Sequence, residues 1–179
     1  MRLLHNIPKS VLWLIEDNCF ATRNIRNAAA ERGIDSRRLV FCEKTKMEDH
    51  LSRHQLADIF LDTIPVNAHT TASDALWAGL PLVTCRGDSF ASRVAASLLS
   101  AIGLPELVAD SLERYEAITL NLAIDTAALR CIREKLSKNR LGTPLFDINR
   151  FRDDIEIAYR TMWQITQRGE APRSFSVMA

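Results

Sequence analysis

A histidine, two threonines and an aspartate sit close together in one stretch of this chain, at His69, Thr70, Thr71 and Asp74. They follow the apolar run Ile59 to Leu61, Asp62-Thr63 and a loop carrying Pro65 and Asn67, and they open a helical pattern that runs to Gly79. A helix start just beyond the carboxyl end of a strand presents unpaired backbone N–H groups and a partial positive charge, which suits an anion. Thr70 and Thr71 add hydroxyl donors, His69 adds a ring donor, and Asp74 can accept from a sugar hydroxyl, so a diphosphate attached to a ribose fits the set. The same residues also fit an ordinary helix start, with Thr71 as N-cap and Asp74 as a first-turn acid. Spacing alone leaves both readings open.

A second cluster, His50, Arg53 and His54, falls at helical spacing, and a guanidinium beside an imidazole can stack on a nucleobase. The alternative is the solvated face of a helix. A third, Gly87 to Arg93, follows the run Leu82 to Thr84; Asp88 or Ser89 can cap the helix after it, as in any βα turn.

The elements that must position these groups are read from apolar pattern. Four short continuous apolar runs, Val11 to Ile15, Leu39 to Phe41, Ile59 to Leu61 and Leu82 to Thr84, read as strands covered on both faces. Helical patterns between them, ending at Gly33 and Gly79, predict an α/β fold: a Rossmann-like parallel sheet with crossover helices. The sheet is expected to end near Thr84, and a helix over Phe90 to Ile102 to close at Gly103 and Pro105. From Ser111 the pattern is helical, and the stripe Ile148, Phe151, Ile155, Tyr159, Met162 and Ile165 reads as core packing, with order ending near Gly169 and Pro172. Leu3, Leu4 and Ile7 read as the last turns of a helix stopped by Pro8. No repeat or linker divides the 179 residues, giving one domain: a Rossmann-like part over 1–105 and a helical extension over 106–179.

Composition narrows the function classes. Hydrophobic residues make up 47% and charged residues 25%, enough for a folded core, and the net charge of +1 gives no basic footprint for nucleic acid. The four cysteines form no CxxC pair, which points away from a zinc or redox site and toward buried thiols in a reducing compartment. No apolar run approaches the ~20 residues of a membrane span, so a cytoplasmic protein with no membrane partner is expected. The absence of a GxGxxG turn disfavours a nicotinamide or flavin enzyme.

The blocks Gln55-Leu56-Ala57-Asp58, Leu61-Asp62-Thr63, Asn67-Ala68-His69-Thr70-Thr71, Asp74 to Pro81 and Ala91 to Ser97 occur in one order that resembles the O-linked N-acetylglucosamine transferase family. The likeness runs from Pro8 to Tyr159, and its Ala-His-Thr-Thr-Ala-Ser form is similar to the bacterial branch with its SPINDLY-type and tetratricopeptide-associated relatives. The resemblance implies the C-terminal lobe of a two-lobed GT-B glycosyltransferase. Such an enzyme moves N-acetylglucosamine from UDP-GlcNAc to protein Ser/Thr hydroxyls, with inversion and with no metal or other cofactor. It implies diphosphate contacts from His69, Thr70 and Thr71, ribose from Asp74, uracil from Arg53, and the donor-site histidine at His50. It assigns no catalytic base to this chain, only leaving-group stabilisation by His69, Thr70 and Thr71. Where animal members carry a base-binding lysine the chain has Met47, with Lys44 and Lys46 nearby. The resemblance further implies that the N-terminal lobe, and the first strand of this lobe with its diphosphate lysine, lie outside the chain. A fragment inactive alone is therefore expected; the alternative is a non-catalytic nucleotide-sugar-binding or interaction module.

Overall fold

The computed structural model describes residues 1–177. Short apolar runs become parallel strands because the helices between them carry the chain back across the sheet. In chain order these are α1 (Arg2–Asn6), β1 (Leu12–Ile15), α2 (Cys19–Ala30), β2 (Leu39–Cys42), α3 (Met47–Arg53), β3 (Phe60–Leu61), α4 (Thr70–Trp77), β4 (Leu82–Cys85), α5 (Val94–Ala101), β5 (Val108–Ala109), α6 (Leu112–Ile124), α7 (Thr126–Asn139) and α8 (Ile148–Gln167). Four helix starts, those of α2, α6, α7 and α8, are written in the sequence. Asn18 accepts from Ala21 N at 2.9 Å, Ser111 from Arg114 N at 3.1 Å, Asp125 from Ala127 N at 2.9 Å and Asp147 from Arg150 N at 3.0 Å. Each bond satisfies a backbone donor that the first turn leaves unpaired.

The parallel sheet forms in two pieces. β1 pairs with β2, Leu12 opposite Leu39 through Ile15 opposite Cys42. β3, β4 and β5 form the other piece, with β4 central. Strand burial follows from this: Leu82, Val83 and Thr84 of β4 are fully buried, whereas Ile15 of β1 is 44% exposed. One edge of β1 and one of β3 carry no strand among the described residues.

Each piece has its own core. Around β4, Leu76 of α4, Leu99 of α5, Ile118 and Leu122 of α6 and Leu136 of α7 pack with Leu82, Ile102, Leu104 and Leu107. Leu4 of α1, Ala29 of α2, Ile34 and Leu39 of β2 make the smaller one. α5 ends where Gly103 takes φ +74°, a left-handed conformation that favours glycine, and Leu104 N–H returns to Leu99 O at 2.8 Å.

Three expectations need correction. The sheet does not end near Thr84: β5 pairs Thr84 with Val108 and Cys85 with Ala109, and a two-residue strand is too short to carry a periodic signal. The sheet-bearing part therefore extends past residue 105. The α8 stripe is not core; Ile148, Phe151, Tyr159 and Met162 are exposed and only Ile165 is buried. The helix is strongly amphipathic, but nothing among the described residues covers most of its apolar face. Nor are all thiols buried, since Cys19 and Cys131 are exposed and Cys42 and Cys85 only partly covered; all four are free. No helix is long and apolar enough to cross a membrane among the described residues.

Candidate functional site

The loop leaving β3 is built around one carboxylate. Asp62 is 5% exposed, and its Oδ1 accepts from Thr63 N at 2.8 Å and Ala68 N at 2.6 Å. Its Oδ2 accepts from the Thr84 hydroxyl at 2.5 Å, which ties the loop to the central strand. Tyr115 of α6 donates its hydroxyl to Asp62 O at 3.1 Å, and burial with the nearby Asp62 charge pushes that phenol far above its ordinary range. Within the loop, Thr63 Oγ1 donates to Val66 O at 2.6 Å, and Asn67 Nδ2 to Thr63 O at 3.1 Å. The buried Asn67 Oδ1 has no partner.

This scaffold delivers the start of α4 to the surface. His69 occupies the N-cap position, yet no side chain caps the helix. Thr71 is therefore not the N-cap, and Asp74 lies in the second turn rather than the first. Residues 69–71 are exposed, at a helix start whose first-turn backbone donors have no side-chain cap. His69 Nε2 lies 3.4 Å from Ala91 O, with its ring edge-on to Phe90 at 6.2 Å between centroids. The arrangement is an exposed, uncapped positive helix end, able to hold an anion.

The Gly87–Arg93 turn braces that end. Ser89 accepts from Ser92 N at 3.3 Å while Ser92 Oγ receives Ser89 N at 3.0 Å, a reciprocal cap; Asp88 takes no part. Ala91 O accepts Asn67 N at 2.9 Å, so this turn supports the β3–α4 loop from the β4 side.

The α3 cluster is pinned rather than merely solvated. Arg53 donates to Glu43 O at 2.9 Å and to His50 Nδ1 at 2.7 Å. The bond from Arg53 makes Nδ1 an acceptor, placing the proton of a neutral His50 ring on Nε2. His54, buried, has Nδ1 2.7 Å from His50 O and packs edge-on against the His50 ring at 4.5 Å. Burial lowers the His50 pKa below its ordinary value, with His54 and Arg53 adding to the effect and Asp74 opposing it. Met47 starts α3 58% exposed; Lys44 is engaged with Asp17 at 3.2 Å, and Lys46 makes no ion pair among the described residues.

The structure thus gathers His69, Thr70 and Thr71 at the exposed start of α4, with Asp74 in its second turn, and joins His50, Arg53 and His54 in one hydrogen-bonded cluster on α3. Sequence reading missed Asp62, Thr84 and Tyr115. Asp62 at a strand end was the available signal, but Thr84 and Tyr115 reach it only through the fold.

The family model described as glycosyl transferase family 41 matches residues 1–155. A Caenorhabditis elegans UDP-N-acetylglucosamine–peptide N-acetylglucosaminyltransferase is 41% identical over 169 residues, 94% of this chain and 15% of that protein. The Arabidopsis thaliana protein described as the probable transferase SEC is 36% identical over 177 residues, 98% of this chain and 18% of that one. Among solved structures, a mutant of Thermobaculum terrenum O-GlcNAc transferase superposes with a TM-score of 0.86 at 33% identity, covering 90% of this chain and 32% of that one. The chain spans under a fifth of the length of these two curated relatives.

Proposed function

The chain belongs to glycosyl transferase family 41, and from that premise we propose that it forms the donor-binding part of a transferase moving N-acetylglucosamine from UDP-GlcNAc to protein Ser/Thr hydroxyls in the cytoplasm. The observation that carries the reading is the exposed, uncapped start of α4 at the carboxyl end of β3, with Thr70 and Thr71 hydroxyls beside the backbone donors. His69, Thr70 and Thr71 hold the diphosphate, Asp74 the ribose hydroxyls, Arg53 stacks on the uracil and His50 lines the donor site. As the glycosidic bond breaks, negative charge builds on the departing diphosphate. Fixed donors at a helix end favour that state over the substrate without needing a metal.

The divided sheet supports a site completed by further polypeptide. One parallel strand between β1 and β3 would give the order β2-β1-X-β3-β4-β5, the doubly wound order in which nucleotides bind where the strand sequence reverses. The carboxyl end of that strand would border the Asp62–Thr71 loop. The isolated chain is therefore expected to bind UDP, with transfer of sugar needing that further polypeptide.

Calorimetric titration with UDP, beside a variant with His69, Thr70 and Thr71 changed to alanine, tests this. Saturable binding lost in the variant, without transfer to a serine-containing peptide from UDP-GlcNAc, is the expected result. No binding by the folded chain favours a non-catalytic module, and turnover by the isolated chain refutes the need for a second lobe.

A further inference from the structure

Four arginine side chains among the described residues have neither an acidic partner nor a hydrogen-bond acceptor. Arg23 lies over the Phe20 ring at 5.5 Å. The other three, Arg86, Arg93 and Arg114, line one groove of about 940 Å³ together with Asp110. They come from separate elements: Arg86 follows β4, Arg93 precedes α5 and Arg114 lies in the first turn of α6. A chain with nearly balanced charge pairs most of its other arginines, so three unneutralised guanidiniums around one concavity form a local excess. The single carboxylate, Asp110, lies within 4 Å of none of them.

We propose that this groove binds an acidic segment of polypeptide. Planar guanidinium forks match carboxylates in two-point contacts. Between the arginines the floor is aliphatic, with Ala96, Pro105 and Val108, while the Asp110 carboxylate can accept a peptide N–H. Single-stranded nucleic acid would need aromatic platforms for its bases, and no aromatic side chain lines the groove. A lone phosphate would leave most of this volume unfilled.

The groove and the β3–α4 loop share one turn, Gly87–Arg93. Ala91, whose carbonyl receives the Asn67 N–H, stands two residues before Arg93. The inference rests on the transferase reading only for naming that polypeptide an acceptor; the groove's chemistry does not depend on it.

The test is fluorescence anisotropy of a labelled peptide alternating glutamate and alanine, titrated with the purified chain. Arg86→Gln, Arg93→Gln and Arg114→Gln together are expected to weaken binding about tenfold. Arg130→Gln, Arg160→Gln and Arg168→Gln together change the net charge equally, and are expected to change affinity less than about twofold. Asp110→Asn is expected to tighten binding, a gain that no misfolded variant would mimic. The His69, Thr70 and Thr71 alanine variant keeps peptide affinity, separating failure of this inference from failure of the donor-site reading. Equal losses in the two arginine triples, tighter binding of a glutamine-for-glutamate peptide, displacement by equimolar inorganic phosphate, or stronger groove-dependent binding of single-stranded oligothymidine would each overturn it.

Discussion

The Thr84 hydroxyl donates to Asp62 Oδ2 at 2.5 Å, joining the buried centre of β4 to the end of β3. Because Asp62 Oδ1 also holds the Thr63 and Ala68 N–H groups, one carboxylate sets the path of the whole loop before α4. Asp62→Ala strands three donors in a buried position and should cost roughly 3 kcal/mol or more. Denaturant unfolding measures this. UDP titration should show weaker binding even under conditions where the variant remains folded, since the helix end loses its anchor.

Tyr115 secures the same loop from α6. Tyr115→Phe keeps the ring packing and removes one hydrogen bond, so a loss of about 1 kcal/mol is expected. The unfolding midpoint should move while the circular dichroism spectrum stays unchanged.

The pH dependence turns on His50. Its folded-state pKa lies below the unfolded value of 6.5, chiefly through burial, and the Arg53 bond to Nδ1 requires an unprotonated acceptor. The unfolded chain therefore binds the proton more readily, so this contribution is present above about pH 6.5 and is lost as pH falls through the lower folded value. Unfolding midpoints compared between pH 7.5 and pH 5, both nominal settings taken about a unit or more to either side of the free value, should fall more for the wild type than for His50→Asn. An equal fall would remove His50 as the source.

At Gly103 a Cβ would meet the left-handed strain of φ +74° and approach Asn139 Nδ2 to 2.8 Å. Asn139 Nδ2 donates to Ile102 O at 2.8 Å, a bond that must yield. Gly103→Ala should lower stability by about 2 kcal/mol, read by thermal unfolding; Gly169→Ala, with nothing within 4 Å, pays only the backbone part.

Thiol labelling of the native chain should separate into two pairs. Cys19 and Cys131 are exposed and react quickly; Cys42 is partly covered, and burial raises the Cys85 thiol, so both lag. Mass spectrometry of the partly labelled chain identifies which sulfur reacts first.

The strands around the candidate site were legible because Leu12–Ile15, Leu39–Cys42 and Leu82–Cys85 are continuous apolar runs, and His69–Thr71 because a helix start follows a strand end directly. β5 was not, since its two residues become a strand only by pairing with Thr84 and Cys85. The α8 stripe was misread for a related reason. Periodicity reports that a face is apolar, not that a partner lies against it. Likewise the choice between a cap and an exposed helix end at Thr71 was fixed by backbone geometry three residues around His69, which residue types leave undetermined.

The two-piece sheet also sets a gradient of local opening. Amides of β4, paired on both sides and roofed by α4, α5 and α6, should exchange with solvent deuterium only on global unfolding, whereas β1, supported by a small core and paired on one side, should exchange by sub-global release. The β1–β2 unit then behaves as the softer foldon of the chain. Protection gained at β1, without change at β4, would report when further polypeptide has docked there.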